Sequence, residues 1–231
     1  MNKNKITIII VLVLISFPFR IYANENQLFI HNDFVTYKSE NGIDKAYNIN
    51  TNKKISGFVI SYHGNGLLER LIPYSEGMIN GIAKWFYYNG TLKIQKKYTN
   101  GKIHGDANWY YQNGNIWITT PYKNNLRDGI SKWYYNNGVI KSTTPYENDK
   151  INGNFEIFYK NGLIWFRTKF INNLNDGLVE WFYDNGIIKR KGYYSMGKRK
   201  GIWEWFSKNG EIQYSVSYLN DKEVFSKIYK N

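Results

Sequence analysis

Asparagine followed by glycine recurs every 24 residues, at Gly66, Gly90, Gly114, Gly138, Gly162, Gly186 and Gly210, and Asn41-Gly42 extends the series one step back. A second glycine series keeps the same period out of phase: Gly57, Gly81, Gly105, Gly129, Gly153, Gly177 and Gly201. A short third one, Gly77, Gly101 and Gly197, runs four residues ahead of the second. All but two of the 20 glycines fall in these series. A single globular core has no use for such a register, whereas stacked supersecondary units require it. The functional question therefore concerns surfaces rather than a pocket in one domain.

Residues 89–112 serve as the reference unit. Asn-Gly between alternating segments signals a hairpin, and a type I′ turn with φ > 0 at both central residues is expected there. From Thr91 to Tyr98 the alternation has period two, with Leu92, Ile94 and Tyr98 on one face and Lys93, Gln95 and Lys97 on the other. The Tyr98 column reads Tyr74, Tyr98, Tyr122, Tyr146, Phe170, Tyr194 and Tyr218. A second turn is expected across Thr99 to Gly105, and a second strand from Asp106 to Gln112. Its inward columns are Trp85, Trp109, Trp133, Ile157, Trp181 and Trp205, then Tyr87, Tyr111, Tyr135, Tyr159 and Tyr183, ending at Ser207. Pro73, Pro121 and Pro145 share one column; proline cannot donate to a ladder, so they mark a strand end or a bulge. No 3.6-residue pattern survives in the array, which excludes helix there. The expected fold is all-β: an elongated single-layer antiparallel sheet of stacked β-hairpin repeats of 24 residues.

The segment 1–23 stands apart. Lys3 and Lys5 precede an apolar run from Ile6 to Phe19, and Ala23 offers a small residue for cleavage. The run is shorter than the roughly 20 residues that span a bilayer as a helix, so a signal peptide is expected, with an uncleaved N-terminal anchor in the inner membrane as the alternative. The rest divides into an N-terminal cap with a degenerate first repeat (24–57), the array (58–220) and a C-terminal cap (221–231), where Phe225 replaces the expected glycine. Cysteine is absent, which removes disulfides, thiolate metal sites and cysteine nucleophiles. Without 1–23 the net charge falls from +13 to +10. A basic, secreted or periplasmic chain points to an acidic protein, an anionic lipid surface or an acidic glycan, and export makes nucleic acid an unlikely partner.

The stretch Tyr98 to Ile116, Y-x-N-G-K-x-x-G-x-x-x-W-Y-Y-x-N-G-x-I, resembles a MORN repeat. It is most similar to the bacterial MORN variant found in proteins of the YwqK antitoxin type, over about 58 to 220. The resemblance implies a hairpin-stacked sheet acting as a scaffold or binding module; MORN proteins are linked to membrane association, junction formation and protein assembly. It carries over no site residues. The Gly-x-Gly spacing of standard MORN repeats is missing at Asp106-Ala107, which places the chain among the variants.

Catalytic constellations are scarce. His31, His63 and His104 have no metal-ligand spacing, and no metal or cofactor is expected. Glu156, Glu180 and Glu204 form a column shared with Lys84 and Lys132, and charge balance within that column explains them better than acid–base chemistry. The chain is read as non-enzymatic. The Phe86 column, comprising Phe86, Tyr110, Tyr134, Phe158, Phe182 and Phe206, faces away from the Trp85 and Tyr87 columns. With Lys84 and Lys132 it is the candidate binding surface for a protein partner or an envelope surface, since aligned rings suit flat apolar groups and cations suit anionic ones. Anionic-lipid association and a toxin-neutralising, immunity-type role are the alternatives. Column 93 alternates Lys93, Trp117, Lys141, Trp165 and Lys189, a pattern open to a cation–π ladder.

Overall fold

From Gly57 onward the chain never leaves one sheet. The structure, a computed structural model, describes residues 28–40 and 43–229; the expected signal segment and the Asn41-Gly42 turn lie outside them. Strands β1 (Phe29–His31), β2 (Val35–Glu40), β3 (Ile43–Asn48), β4 (Gly57–Tyr62) and β5 (Leu68–Ser75) open the chain. From β4 the chain runs in consecutive antiparallel hairpins to the last strand, Lys222–Ile228. The second strand of three hairpins is split in two, as Met78–Ile79 and Gly81–Phe86 both pair with β5; β1 adds to β4 in parallel, giving 19 strands. No α-helix occurs among the described residues; a single 3-10 turn, Asn32–Phe34, precedes the array. The all-β, single-layer architecture expected from the period is the one observed.

The hairpin β2–β3 forms its own two-stranded sheet. It docks on the first repeat: the Ala46 amide donates to the Gly77 carbonyl at 2.8 Å, and the Gly77 amide to the Ile55 carbonyl at 2.8 Å. Ile30, Ala46, Ile55 and Val59 make the cluster beneath it, with Val35 and Tyr74 against its margin.

The two kinds of turn exchange the roles expected of them. In the described Asn-Gly pairs of the series from Gly66 to Gly210 only the glycine has positive φ, 81° at Gly90 and 84° at Gly138. The Gly90 amide donates to the Tyr87 carbonyl at 2.8 Å, and the Tyr87 amide to the Thr91 carbonyl at 2.8 Å. That is a type I turn closed by a left-handed glycine in a bulge, a three-residue loop rather than type I′. The asparagine stays right-handed because its side chain is engaged: Asn89 Oδ1 accepts from the Thr91 amide at 3.1 Å. Type I′ geometry sits at the opposite edge instead. Asn124 and Asn125 have φ of 52° and 73°, Asn172 and Asn173 of 49° and 69°, and Asn100 and Gly101 of 48° and 78°. The turn thus lies at Asn100-Gly101, and Gly105, expected within it, belongs to the following strand, Lys102–Tyr110. Glycines of that series sit at bulges against the previous strand. A Cβ on Gly129 would come within 2.8 Å of Pro121 Cγ, and one on Gly153 within 3.2 Å of Pro145 Cγ. The shared proline column therefore marks the bulge, as its missing N–H requires.

Register sorts the side chains into two faces. On the packed face one row runs Trp85, Ile94, Trp109, Ile118 and Trp133, and later Phe166, Trp181, Arg190 and Trp205. Beside it runs a row of small or slender residues, among them Ala83, Ala107, Thr120, Ser131, Thr144, Thr168 and Val179, all buried. The Tyr98 column forms a third row. In a sheet without a covering layer, Ala83 and Ala107 reach 0 % exposure only because the rows of rings on either side lean over them. This face is a core made within one layer.

Two further devices fix neighbouring repeats. Each tyrosine hydroxyl of the Tyr87 column donates to a backbone carbonyl one repeat on: Tyr87 to Tyr110 (2.6 Å), Tyr111 to Tyr134 (2.8 Å), Tyr135 to Phe158 (2.9 Å), Tyr159 to Phe182 (2.7 Å) and Tyr183 to Phe206 (2.8 Å). The turn asparagines add a parallel line, as in Asn161 Nδ2 to the Asp184 carbonyl at 3.1 Å. At the opposite edge the type I′ turns interlock. Asn125 Oδ1 accepts from the Ile103 amide (2.7 Å), and Asn173 Oδ1 from the Ile151 amide (2.6 Å). Where arginine replaces isoleucine, aspartate replaces asparagine: Asp149 Oδ1 takes both the amide and Nε of Arg127 (2.9 and 2.8 Å), and Asp221 those of Arg199 (3.0 and 3.1 Å).

Two units break the small-residue row, one with Phe155 and one with Trp203. Trp203 occupies the position of Ala83 and Ala107 and is 2 % exposed. Its ring lies on Gly192, where an added Cβ would fall 2.2 Å from Trp203 Cδ2. Tyr194, Tyr218 and Trp181 surround it at centroid distances of 5.2, 6.0 and 6.0 Å.

Candidate binding surface

The other face carries a polar row built by simple alternation: Lys84, Gln95, Asn108, Thr119, Lys132, Thr143, Glu156, Arg167, Glu180, Lys191 and Glu204 stand side by side. Sequence columns are two strands apart, about 9.6 Å, and the glutamates and lysines of this column do not pair with one another. The observed pairs run across adjacent strands: Glu180 with Arg167, and Glu204 with Lys191 at 3.0 Å. Glu156 instead accepts from Thr143 Oγ1 at 3.4 Å. The balance with Lys84 and Lys132 is thereby corrected. Those two lysines are half-buried and have no ion-pair partner among the described residues.

Beside this row stand Phe86, Tyr110, Tyr134, Phe158, Phe182 and Phe206, at the strand ends next to the Asn-Gly turns. All are half-buried except Phe182, which is buried. Arg167 and Lys191 lie over the Phe182 and Phe206 rings at 5.3 and 5.4 Å, which confirms that the column shares the charged face. Burial pushes the Tyr110 hydroxyl pKa up. On the far side of the row Ile82, Ile130, Leu178 and Ile202 project, each 47–65 % exposed. These aliphatics were not singled out from sequence, although their alternation with Asp106 and Asn154 along one column is readable.

Column 93 belongs to the packed face instead, corrected by a bulge between Trp85 and Phe86 that opposes Phe86 to Leu92 and leaves Lys93 over. Lys93, Lys141 and Lys189 place Nζ 5.5, 5.9 and 5.6 Å from the Tyr87, Tyr135 and Tyr183 rings, and Trp117 sits 5.9 Å from Tyr111. The cation–π contacts are thus real, but each lies within one hairpin. On the same face Lys96 is held between Trp85 and Trp109 at 5.9 and 5.4 Å, and desolvation lowers its pKa.

The ionic edge has a pH signature. The Arg127 guanidinium lowers the pKa of Asp149, and the amide and guanidinium of Arg199 lower that of Asp221. In the N-terminal hairpin Lys45, Tyr47 and Lys54 hold Glu40 down at about 2. A depressed carboxylate stabilises the fold above its unfolded pKa, near 4, and that contribution is lost as pH falls through the folded value. Stability should therefore decline from about pH 5 downward. Asp149→Asn should shallow the acid limb in pH-dependent urea melts, and an unchanged limb would remove this pair from the account.

Among the described residues no group of three His, Cys, Asp or Glu side chains could hold a metal ion, and no helix is long and apolar enough to cross a membrane. Five segments match one repeat description, at 79–100, 103–124, 127–148, 175–196 and 199–220. These are MORN repeat variants. The spacing skips one place, 151–172, where the structure nevertheless continues with the same turns and the same tyrosine bond from Tyr159. That unit departs at Ile157, where all five matched segments have tryptophan, and at Phe155, where all of them but the one with Trp203 have a small or slender residue. No curated protein matches the chain.

Proposed function

We propose that this MORN array is an exported, non-catalytic binding module that docks a protein partner on its charged face. One observation carries the reading: a column of rings from Phe86 to Phe206, all half-buried but Phe182, flanks the polar row with the unpaired cations Lys84 and Lys132, and exposed aliphatics line its other side, on a face with no covering layer. Exposed apolar side chains rimmed by charge are the usual composition of a protein contact. Export rests on Lys3, Lys5 and the apolar run to Phe19; an intact mass retaining residues 1–23 in the envelope fraction would reject cleavage.

The test is comparative capture from envelope extract. Ile130→Glu and Ile202→Glu, on exposed positions, should abolish recovery of a specific partner that the unmodified chain retains, without changing its melt. Equal recovery by both would sink the reading. Flotation with anionic vesicles separates the alternative: lipid association through the lysines must collapse at high salt. A captured toxin whose activity the chain suppresses would narrow the partner class to the antitoxin type.

A further inference from the structure

On the packed face, the rim between two late repeats opens into a cleft of about 200 Å3 lined by Trp165, Trp181, Lys189, Arg190 and Trp205. Register sets Arg190 between Trp181 and Trp205 on adjacent strands. Its guanidinium carbon lies 3.6 Å from the centroid of Trp181, and 5.9 Å from Trp203 beneath. The remaining wall is Trp165, 42 % exposed, while Trp205 is backed by Tyr214, stacked at 4.5 Å.

This arrangement is built once and departs from the repeat. The positions equivalent to Arg190 are Arg70, Ile94, Ile118, Ser142, Phe166 and Tyr214. Packing is satisfied by isoleucine there, so a guanidinium adds a desolvation cost that its stacking on Trp181 offsets but that no anion neutralises. The array's other buttressed arginines have partners: Arg70 donates to Ser61 Oγ (2.7 Å), Arg127 and Arg199 bind Asp149 and Asp221, and Arg167 binds Glu180. Arg190 has no acceptor and no carboxylate among the described residues, and burial lowers its pKa. Lys189, at the mouth, has only the Tyr183 ring. Two cations without an anionic partner beside the exposed Trp165 ring suit a ligand that is both anionic and flat-faced.

We infer that this cleft binds an acidic sugar, a pyranose ring bearing a carboxylate such as a uronate unit of an anionic polysaccharide. The C–H face of the ring stacks on indole, and the carboxylate takes the Arg190 fork in bidentate fashion with Lys189 beside it. The volume lies below the roughly 300–1,000 Å3 of drug-sized sites, so one ring enters and the polymer continues along the open face. The site lies on the face opposite the proposed protein contact and does not depend on it.

The test is calorimetry and tryptophan fluorescence on the full chain with trigalacturonate, with cellotriose as the neutral control and phosphatidylglycerol vesicles as the lipid control. Binding of the acidic trimer alone, weakened by salt and reduced at least tenfold in both Arg190→Gln and Trp165→Ala, is the expected result. Trp165→Ala alters an exposed ring and keeps the test valid if Arg190→Gln unfolds. Ile130→Glu, on the charged face, should leave the titration unchanged, which separates this site from the protein contact. No binding at millimolar trimer, equal affinity for cellotriose, indifference to both substitutions, or a response to vesicles only would each overturn the assignment.

Discussion

Gly192→Ala should destabilise the chain by about 1–3 kcal/mol, the range for overpacking a filled site. The sign makes the experiment informative. Gly192 does not have positive φ, so alanine fits the backbone, and in an ordinary strand the exchange would stabilise by roughly 0.5–1 kcal/mol through lost unfolded-state entropy. Here the new methyl would lie 2.2–2.6 Å from three ring atoms of Trp203. That ring cannot step aside cheaply, because Tyr194, Tyr218, Trp181 and Trp205 enclose it. The double variant Gly192→Ala/Trp203→Val restores the residue type of Val179 at the buried position and should recover much of the loss beyond the cost of Trp203→Val alone. Urea melts of the four proteins form a cycle whose coupling should exceed 1 kcal/mol, on the scale of contacting residues. Additive effects would show that the ring has room elsewhere.

Replacing Tyr135 and Tyr159 together by phenylalanine should cost about 1–3 kcal/mol, taking 0.5–1.5 for each hydrogen bond. The rings keep their packing, so the loss reports the hydroxyls alone. Both donate to carbonyls of the next repeat, at 2.9 and 2.7 Å. Because stability in an array is a sum of unit terms and interface terms, the loss should fall on cooperativity as well as midpoint. Hydrogen exchange should show the strands around Phe158 opening independently of those before Tyr134. A uniform shift with unchanged cooperativity would mean that the hydroxyls stabilise units rather than joints.

The tyrosine bonds were written in the sequence more openly than their reading as inward rings allowed. The Phe86 column exchanges phenylalanine and tyrosine freely, whereas Tyr87, Tyr111, Tyr135, Tyr159 and Tyr183 never lose the hydroxyl. A column indifferent to packing yet strict about oxygen names a hydrogen bond. The pairing of Arg127 with Asp149 and of Ile103 with Asn125, 22 residues on, carries the same kind of information within one chain. Period, strand content and proline bulges were legible because they follow from alternation and from the missing N–H. The assignment of turn types was not, since Asn-Gly fits both the type I′ turn and the type I turn with a glycine bulge. Which one forms depends on Asn89 Oδ1 reaching the Thr91 amide, a contact invisible in composition. The same bulge carried Lys93 and Trp165 to the packed face, so the cleft around Arg190 escaped a reading based on period two. Lys84 and Phe86 share the charged face, as their separation by two residues along one strand predicts, because the bulge at Trp85 and Phe86 leaves its extra residue, Lys93, on the partner strand.

The ladder bonds, the tyrosine bonds and the turn bonds all point along the ribbon, since strands lie across it and the chain enters at one end and leaves at the other. A force applied between the two ends is therefore parallel to every bond that joins the repeats. Such a geometry is loaded one strand at a time, like a zip fastener, whereas strands pulled along their own length would share the strain. Stretched between two anchors, the ribbon should therefore yield hairpin after hairpin, which pulling on its two ends would read as a series of small steps.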